Sequence, residues 1–213
     1  MAQVRPVEDP GTGEVELLRS RLRLFQLIFF GLAVAFPVGR WMVVRARGAD
    51  FMDLPRGSVL LQLVTVLFVG LTFLLLHTRR FDRRGLEIID AMSMCVVGFL
   101  VGCVLLPLQV HFRPELAILL LMAHILVGRA ALVPSTTVRT ALIGLASLLP
   151  ILIATHVVVS RPGAPEWLAN PGAQVFTAAL WGLAIVVLST VVTRVIYGLR
   201  RREIGRASCR ERV

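Results

Sequence analysis

Long apolar runs alternate along this chain with short polar segments that hold most of its arginines. Six runs have the length of a bilayer span: residues 24–44, 58–76, 91–110, 116–133, 140–160 and 172–193. A hydrocarbon core about 30 Å thick takes roughly 20 helical residues rising 1.5 Å each. Lipid offers no partner for backbone N–H and C=O groups, so uninterrupted runs of this length predict helices. The expected fold class is therefore all-α: a polytopic membrane helix bundle of about six transmembrane helices. The second and third runs hold no charge. The first carries Arg40 near one end, where it can snorkel to the headgroups, and Pro37, which can kink it. The fourth is the weakest, because Arg129 cuts it.

Residues 1–23 are polar, and residues 14–23 (EVELLRSRLR) read as a short amphipathic helix leading into the first span. No early apolar core or small-residue cleavage site marks a secretory signal. The organisation is then a 1–23 N-terminal segment, a 24–193 membrane domain, a basic juxtamembrane linker at 194–203, and a 204–213 tail. Short loops make successive spans antiparallel neighbours. With the N-terminus inside, fourteen arginines face the cytoplasm: Arg5, Arg19, Arg21, Arg23, Arg79, Arg80, Arg83, Arg84, Arg129, Arg139, Arg194, Arg200, Arg201 and Arg202. Six fall outside: Arg40, Arg45, Arg47, Arg56, Arg113 and Arg161. The positive-inside rule then puts both termini in the cytoplasm of a multi-pass membrane protein. The first outer loop goes against the bias, but it also carries Asp50 and Asp53; the last holds Trp167, a residue suited to the interface. No half of the chain repeats the other, which argues against a transporter of paired broken helices.

Composition narrows the partners. Of 213 residues, 56% are hydrophobic, and the net charge is +10 with arginine as the only strong base. A nucleic-acid-binding protein gathers such charge on one soluble face. Here the arginines sit between apolar runs, so the expected partner is the lipid bilayer, with self-association open and no nucleic acid. Cys95 and Cys103 lie in one apolar run without a metal-binding spacing and read as small hydrophobes.

Four intramembrane polar residues are candidate site residues. Asp90, just after Glu87, starts the third span as a boundary residue or an interhelical hydrogen-bonding group; an acid in a membrane is also a candidate for proton or ion traffic. His124 in the fourth span and His156 in the fifth could hydrogen-bond across helices, relay a proton or ligate a haem. Arg129 reads as an anchor at the inner interface, with Pro134 ending its helix and Ser135, Thr136 and Thr137 offering caps. Gly98 and Gly102 form a G-x-x-x-G pair, for packing inside the bundle or at a dimer seam. Phosphate loops, H-E-x-x-H, G-x-S-x-G and kinase catalytic motifs are all missing. No catalytic, cofactor-binding or metal-binding residue is assigned.

Two stretches carry a family resemblance: residues 129–150 (RAALVPSTTVRTALIGLASLLP) and 175–201 (VFTAALWGLAIVVLSTVVTRVIYGLRR). Both resemble the N-terminal membrane region of bacterial membrane-anchored serine/threonine protein kinases, in which the last span runs through a short basic linker into the kinase domain. A similar region precedes some adenylate or guanylate cyclase domains. The resemblance implies a membrane anchor with a sensory role in signal transduction. The bundle itself is then non-catalytic, and ATP and Mg²⁺ are cofactors of the downstream domain alone. The final ten residues (IGRASCRERV) resemble a translated sequencing adapter, so the expectation is a fragment whose native sequence departs near residue 203. A small stand-alone transporter is the alternative outside this family.

Overall fold

The computed structural model describes residues 10–46, 56–107, 114–161 and 170–210. These residues form α1 (Pro10–Ala46), α2 (Arg56–Thr78), α3 (Arg83–Leu105), α4 (Pro114–Leu132), α5 (Thr137–Val159) and α6 (Pro171–Arg210), with no strand among them. All six are long and apolar enough to cross a membrane. The six expected spans thus correspond one to one with six helices. Trp167, Asp50, Asp53, Arg47, Arg113 and the last residues of the expected third span lie outside the described residues.

The boundaries differ from the expected ones for local reasons. The amphipathic stretch and the first span are a single helix of 37 residues, with no break at residue 24. α3 begins at Arg83, well before residue 91, because Asp82 caps it: its carboxylate accepts from the Gly85 amide at 2.9 Å. α5 is capped by Thr136, one of the three expected caps, whose hydroxyl accepts from the Arg139 amide at 3.3 Å. α6 runs on through the basic stretch at 194–202 without interruption.

Going round the bundle, neighbours follow the order α1, α2, α3, α5, α6, α4 and back to α1. The closest approach is between α3 and α5. A methyl group placed on Gly98 would overlap the Ser147 backbone, and one on Gly102 would lie 3.0 Å from the Pro150 carbonyl. The G-x-x-x-G pair therefore packs inside the bundle, where missing side chains let two backbones meet. Gly144 of α5 leaves room instead for the Val186 side chain of α6, which would lie 3.0 Å from an added methyl. Leu22, Phe25, Phe29, Val69, Met94, Met122, Leu126 and Ile151 fill the interior. Leu67, Leu71, Leu120, Leu142, Phe176 and Trp181 point outward and are more than half exposed. Such an apolar exterior is costly in water and costless in hydrocarbon.

Side-chain contacts fix the relative directions of the helices. The N-terminal part of α1 touches the end of α2 and the start of α3, through Arg23 to the Leu76 carbonyl (2.9 Å) and Arg19 to the Phe81 carbonyl (3.2 Å). Tyr197 of α6 donates to the Ala131 carbonyl of α4 at 3.3 Å and accepts from Arg21 of α1 at 3.5 Å. The N-terminal part of α1 and residue 197 of α6 thus share one end of the bundle, called the basic end below.

Candidate functional site

The basic end contains a ladder of alternating charges that runs from the surface to the interior. Glu14 of α1 pairs with Arg83 (3.3 Å), Arg83 with Glu87 (3.2 Å), and Glu87 with Arg139 of α5 (3.2 Å). Arg139 reaches Asp90 at 3.3 Å, and Asp90 pairs with Arg129 of α4. Side-chain exposure falls along this order from 73% at Glu14 to 64%, 37%, 23%, 2% and finally 0% at Arg129. Three cations and three anions alternate, so the ladder carries no net charge into the bundle.

Helical phase explains its shape. Arg83, Glu87 and Asp90 follow i, i+4, i+7 spacing on α3, one stripe of the helix. The same stripe continues through the buried Met94, Val97 and Val101. On α4, Arg129 is in register with the buried Met122, Leu126 and Val133. Both charged side chains thus stand on core-facing stripes and are forced to meet. Their contact is bidentate: Arg129 Nε donates to Asp90 Oδ1 at 2.9 Å and Nη2 to Oδ2 at 2.5 Å. This fork geometry is the strong form of a carboxylate pair. Arg139 adds a hydrogen bond to the Glu87 backbone carbonyl. Arg129 Nη1 has no partner.

Further polar contacts tie in the remaining helices. Gln26 of α1 donates to Ser93 Oγ at 3.2 Å, and Ser93 donates to the Asp90 carbonyl at 2.9 Å. Ser135, Thr140 and Thr193 form a hydroxyl chain joining α5 to α6, at 2.6 and 3.3 Å. Asp90 is therefore the node at which α3, α4 and α5 are held, with α1 one turn away.

Of the four candidate residues, the structure brings two together. Asp90 and Arg129 are the innermost pair. Arg129, expected as an anchor at the inner interface, is fully buried against a carboxylate. His124 and His156 are exposed and outside the ladder. His124 follows the outward-facing Leu120 by one turn and bonds back to its carbonyl at 2.7 Å. His156 follows the outward-facing Leu149 and Ile153 on α5. Among the described residues no group of three His, Cys, Asp or Glu is placed to hold a metal. Arg83, Glu87 and Arg139 enter the sequence reading as topology charges or as Asp90's neighbour, not as site residues. The signal available for them is the common stripe at 83, 87 and 90.

Chemically, the arrangement is a latch. A buried ion pair is net weak when intact but strongly destabilising when one partner is removed, because the survivor is left uncompensated. A hydrophobic bundle so fastened has a defined helix arrangement at its basic end. Set against known protein families, curated proteins and solved structures, the chain matches none of them.

Proposed function

We propose that this bundle is the membrane anchor and sensor of a bacterial serine/threonine protein kinase, with the kinase domain following α6 in the cytoplasm. The observation supporting this reading is the continuity of α6. Its apolar segment, Pro171–Gly198, and the basic stretch up to residue 203 belong to one unbroken helix. At 1.5 Å per residue, the rod formed by residues 171–203 is about 50 Å long. Tyr197 fastens it to α4 and α1 as it leaves the apolar segment. A displacement of α4 or α1 within the membrane would thus be carried along a stiff element to whatever α6 bears. The ladder supplies the rigid frame against which such a displacement is defined. Signalling in this sense requires two arrangements that a stimulus binds unequally. ATP and Mg²⁺ belong to the proposed downstream domain, and the bundle has no catalytic part.

The decisive test is the genomic sequence downstream of codon 202. The expected reading frame carries a G-x-G-x-x-G-x-V loop, a strand with a lysine, and an H-R-D motif. A stop codon within a few residues would sink the proposal, and a cyclase domain would replace the output while keeping the anchor. Orientation is checked with reporter fusions at Arg83 and at Trp167. They are expected to report opposite sides of the membrane, with Arg83 inside.

A further inference from the structure

A cavity of about 60 Å³ lies between α1, α2, α3 and α4, in the half of the bundle away from the ladder. Its walls are mostly apolar, with side chains such as Phe29, Val104 and Ile118. Two features break that surface. Gln62, on the α2 wall, has an Nε2 shut off from solvent and without a hydrogen-bond partner. Pro37, on the α1 wall, lies inside a helix and has no N–H to give the carbonyl of Ala33, which lines the same cavity one turn earlier. Thr65, also in the wall, spends its proton on the Leu61 carbonyl at 2.8 Å and keeps an oxygen able to accept. The cavity therefore combines an unmet donor, Gln62 Nε2, with a backbone carbonyl that Pro37 cannot bond. An unbonded amide N–H in a hydrocarbon setting is expensive, so this donor calls for an occupant.

The mouth indicates where that occupant comes from. Leu32 and Phe36 line the cavity and are 44% and 47% exposed on the outer face of α1. Beyond Phe29, α1 has no buried side chain among those described, so this wall faces the surface that lipid covers. A hydrocarbon chain alone would leave Gln62 Nε2 unmet. One water occupies roughly 10–15 Å³ by the same measure and wants two to four polar partners. Filling the cavity with water would set several molecules against Phe29, Val104 and Ile118 with too few partners. A hydroxyl on an apolar body satisfies both sides: its oxygen accepts from Gln62 Nε2, its proton goes to the Ala33 carbonyl, and its chain lies against the apolar walls. We propose that this cavity is a binding site for the hydroxyl end of a bilayer-dissolved long-chain alcohol, admitted laterally beside Leu32 and Phe36. The site rests on these residues alone and does not depend on which domain follows α6.

The test uses the full chain in nanodiscs of dioleoylphosphatidylcholine and a long-chain alcohol carrying a diazirine, with its methyl ether as control. After irradiation, adducts are mapped by mass spectrometry. The expected adducts concentrate at residues 32–37 and 118–121. Gln62→Leu, which removes the donor, is expected to lower them about fivefold, the worth of one hydrogen bond, and the ether to lose a similar factor. Because Gln62→Leu deletes an unbonded donor, its unfolding temperature is expected not to fall. Ala33→Phe, which fills the cavity without touching Gln62, is expected to abolish the adducts. Labelling spread evenly over the outward-facing leucines would overturn the proposal. So would labelling at these residues that survives Gln62→Leu or Ala33→Phe unchanged.

Discussion

At the basic end, polar side chains reach into the bundle and find partners there: six charged residues form one ladder, and all six helices are tied by side-chain hydrogen bonds. In the opposite half, the described residues form no ion pair, no described side chain of α1 beyond Phe29 is buried, and a cavity opens beside the unbonded Nε2 of Gln62. The same chain and the same apolar exterior thus give one half that is cross-braced by a charge ladder and one that has no ion pair among the described residues. A membrane bundle has little hydrophobic force between its helices, so shape and polar contacts decide how firmly each part is held.

The comparison breaks most sharply at Arg129. Replacing it alone by leucine leaves Asp90 buried with only the more distant Arg139, and a loss of about 3 kcal/mol is expected in reversible unfolding in detergent. The double variant Asp90→Leu/Arg129→Leu removes both charges and is expected to recover most of that loss. A single variant as stable as the parent would mean that the ladder does not hold the basic end together.

Glycine packing comes next in size. Gly98→Leu places a side chain where the Ser147 backbone lies and is expected to cost about 1–3 kcal/mol, driving α3 and α5 apart. Gly31, in the loose part of α1, has nothing near its missing side chain. Gly31→Ala is therefore expected to raise stability by about 0.5–1 kcal/mol through helix propensity alone. Equal effects at the two glycines would erase the distinction between the halves.

The smallest effect belongs to the outer rungs. Glu87 is more than a third exposed, so Glu87→Gln is expected to cost less than about 1 kcal/mol in the same unfolding measurement. That cost is expected to shrink further in high salt, because exposed pairs are screened. The Arg129 effect is expected to be nearly insensitive to salt.

Much of this architecture was legible in the run lengths. Apolar stretches of some 20 residues separated by arginines leave few alternatives to six helices, and a cap was expected among Ser135, Thr136 and Thr137, of which the structure uses Thr136. Helix ends were less legible. The start of α3 depends on a single carboxylate, Asp82, turning back to an amide, and the amphipathic stretch before residue 24 gave no sign that it shares one helix with the span. Asp90 and Arg129 could each be singled out as intramembrane charges. Their pairing could not, because they lie 39 positions apart on different helices and only the order of helices around the bundle makes them neighbours. His124 and His156 attract attention by residue type, yet their phase on α4 and α5 turns them outward.

The sequence by itself determined how many helices form and which of their residues are polar, since those follow from hydropathy and local capping. Only the tertiary structure decided which polar residues meet. A helix face is set by its own 3.6-residue phase, but its partner is set by packing, and here the packing turns on Gly98 and Gly102 letting α3 rest against α5. That contact brings Arg139 to Asp90, leaves Gln62 facing a cavity, and makes the two halves of the bundle different.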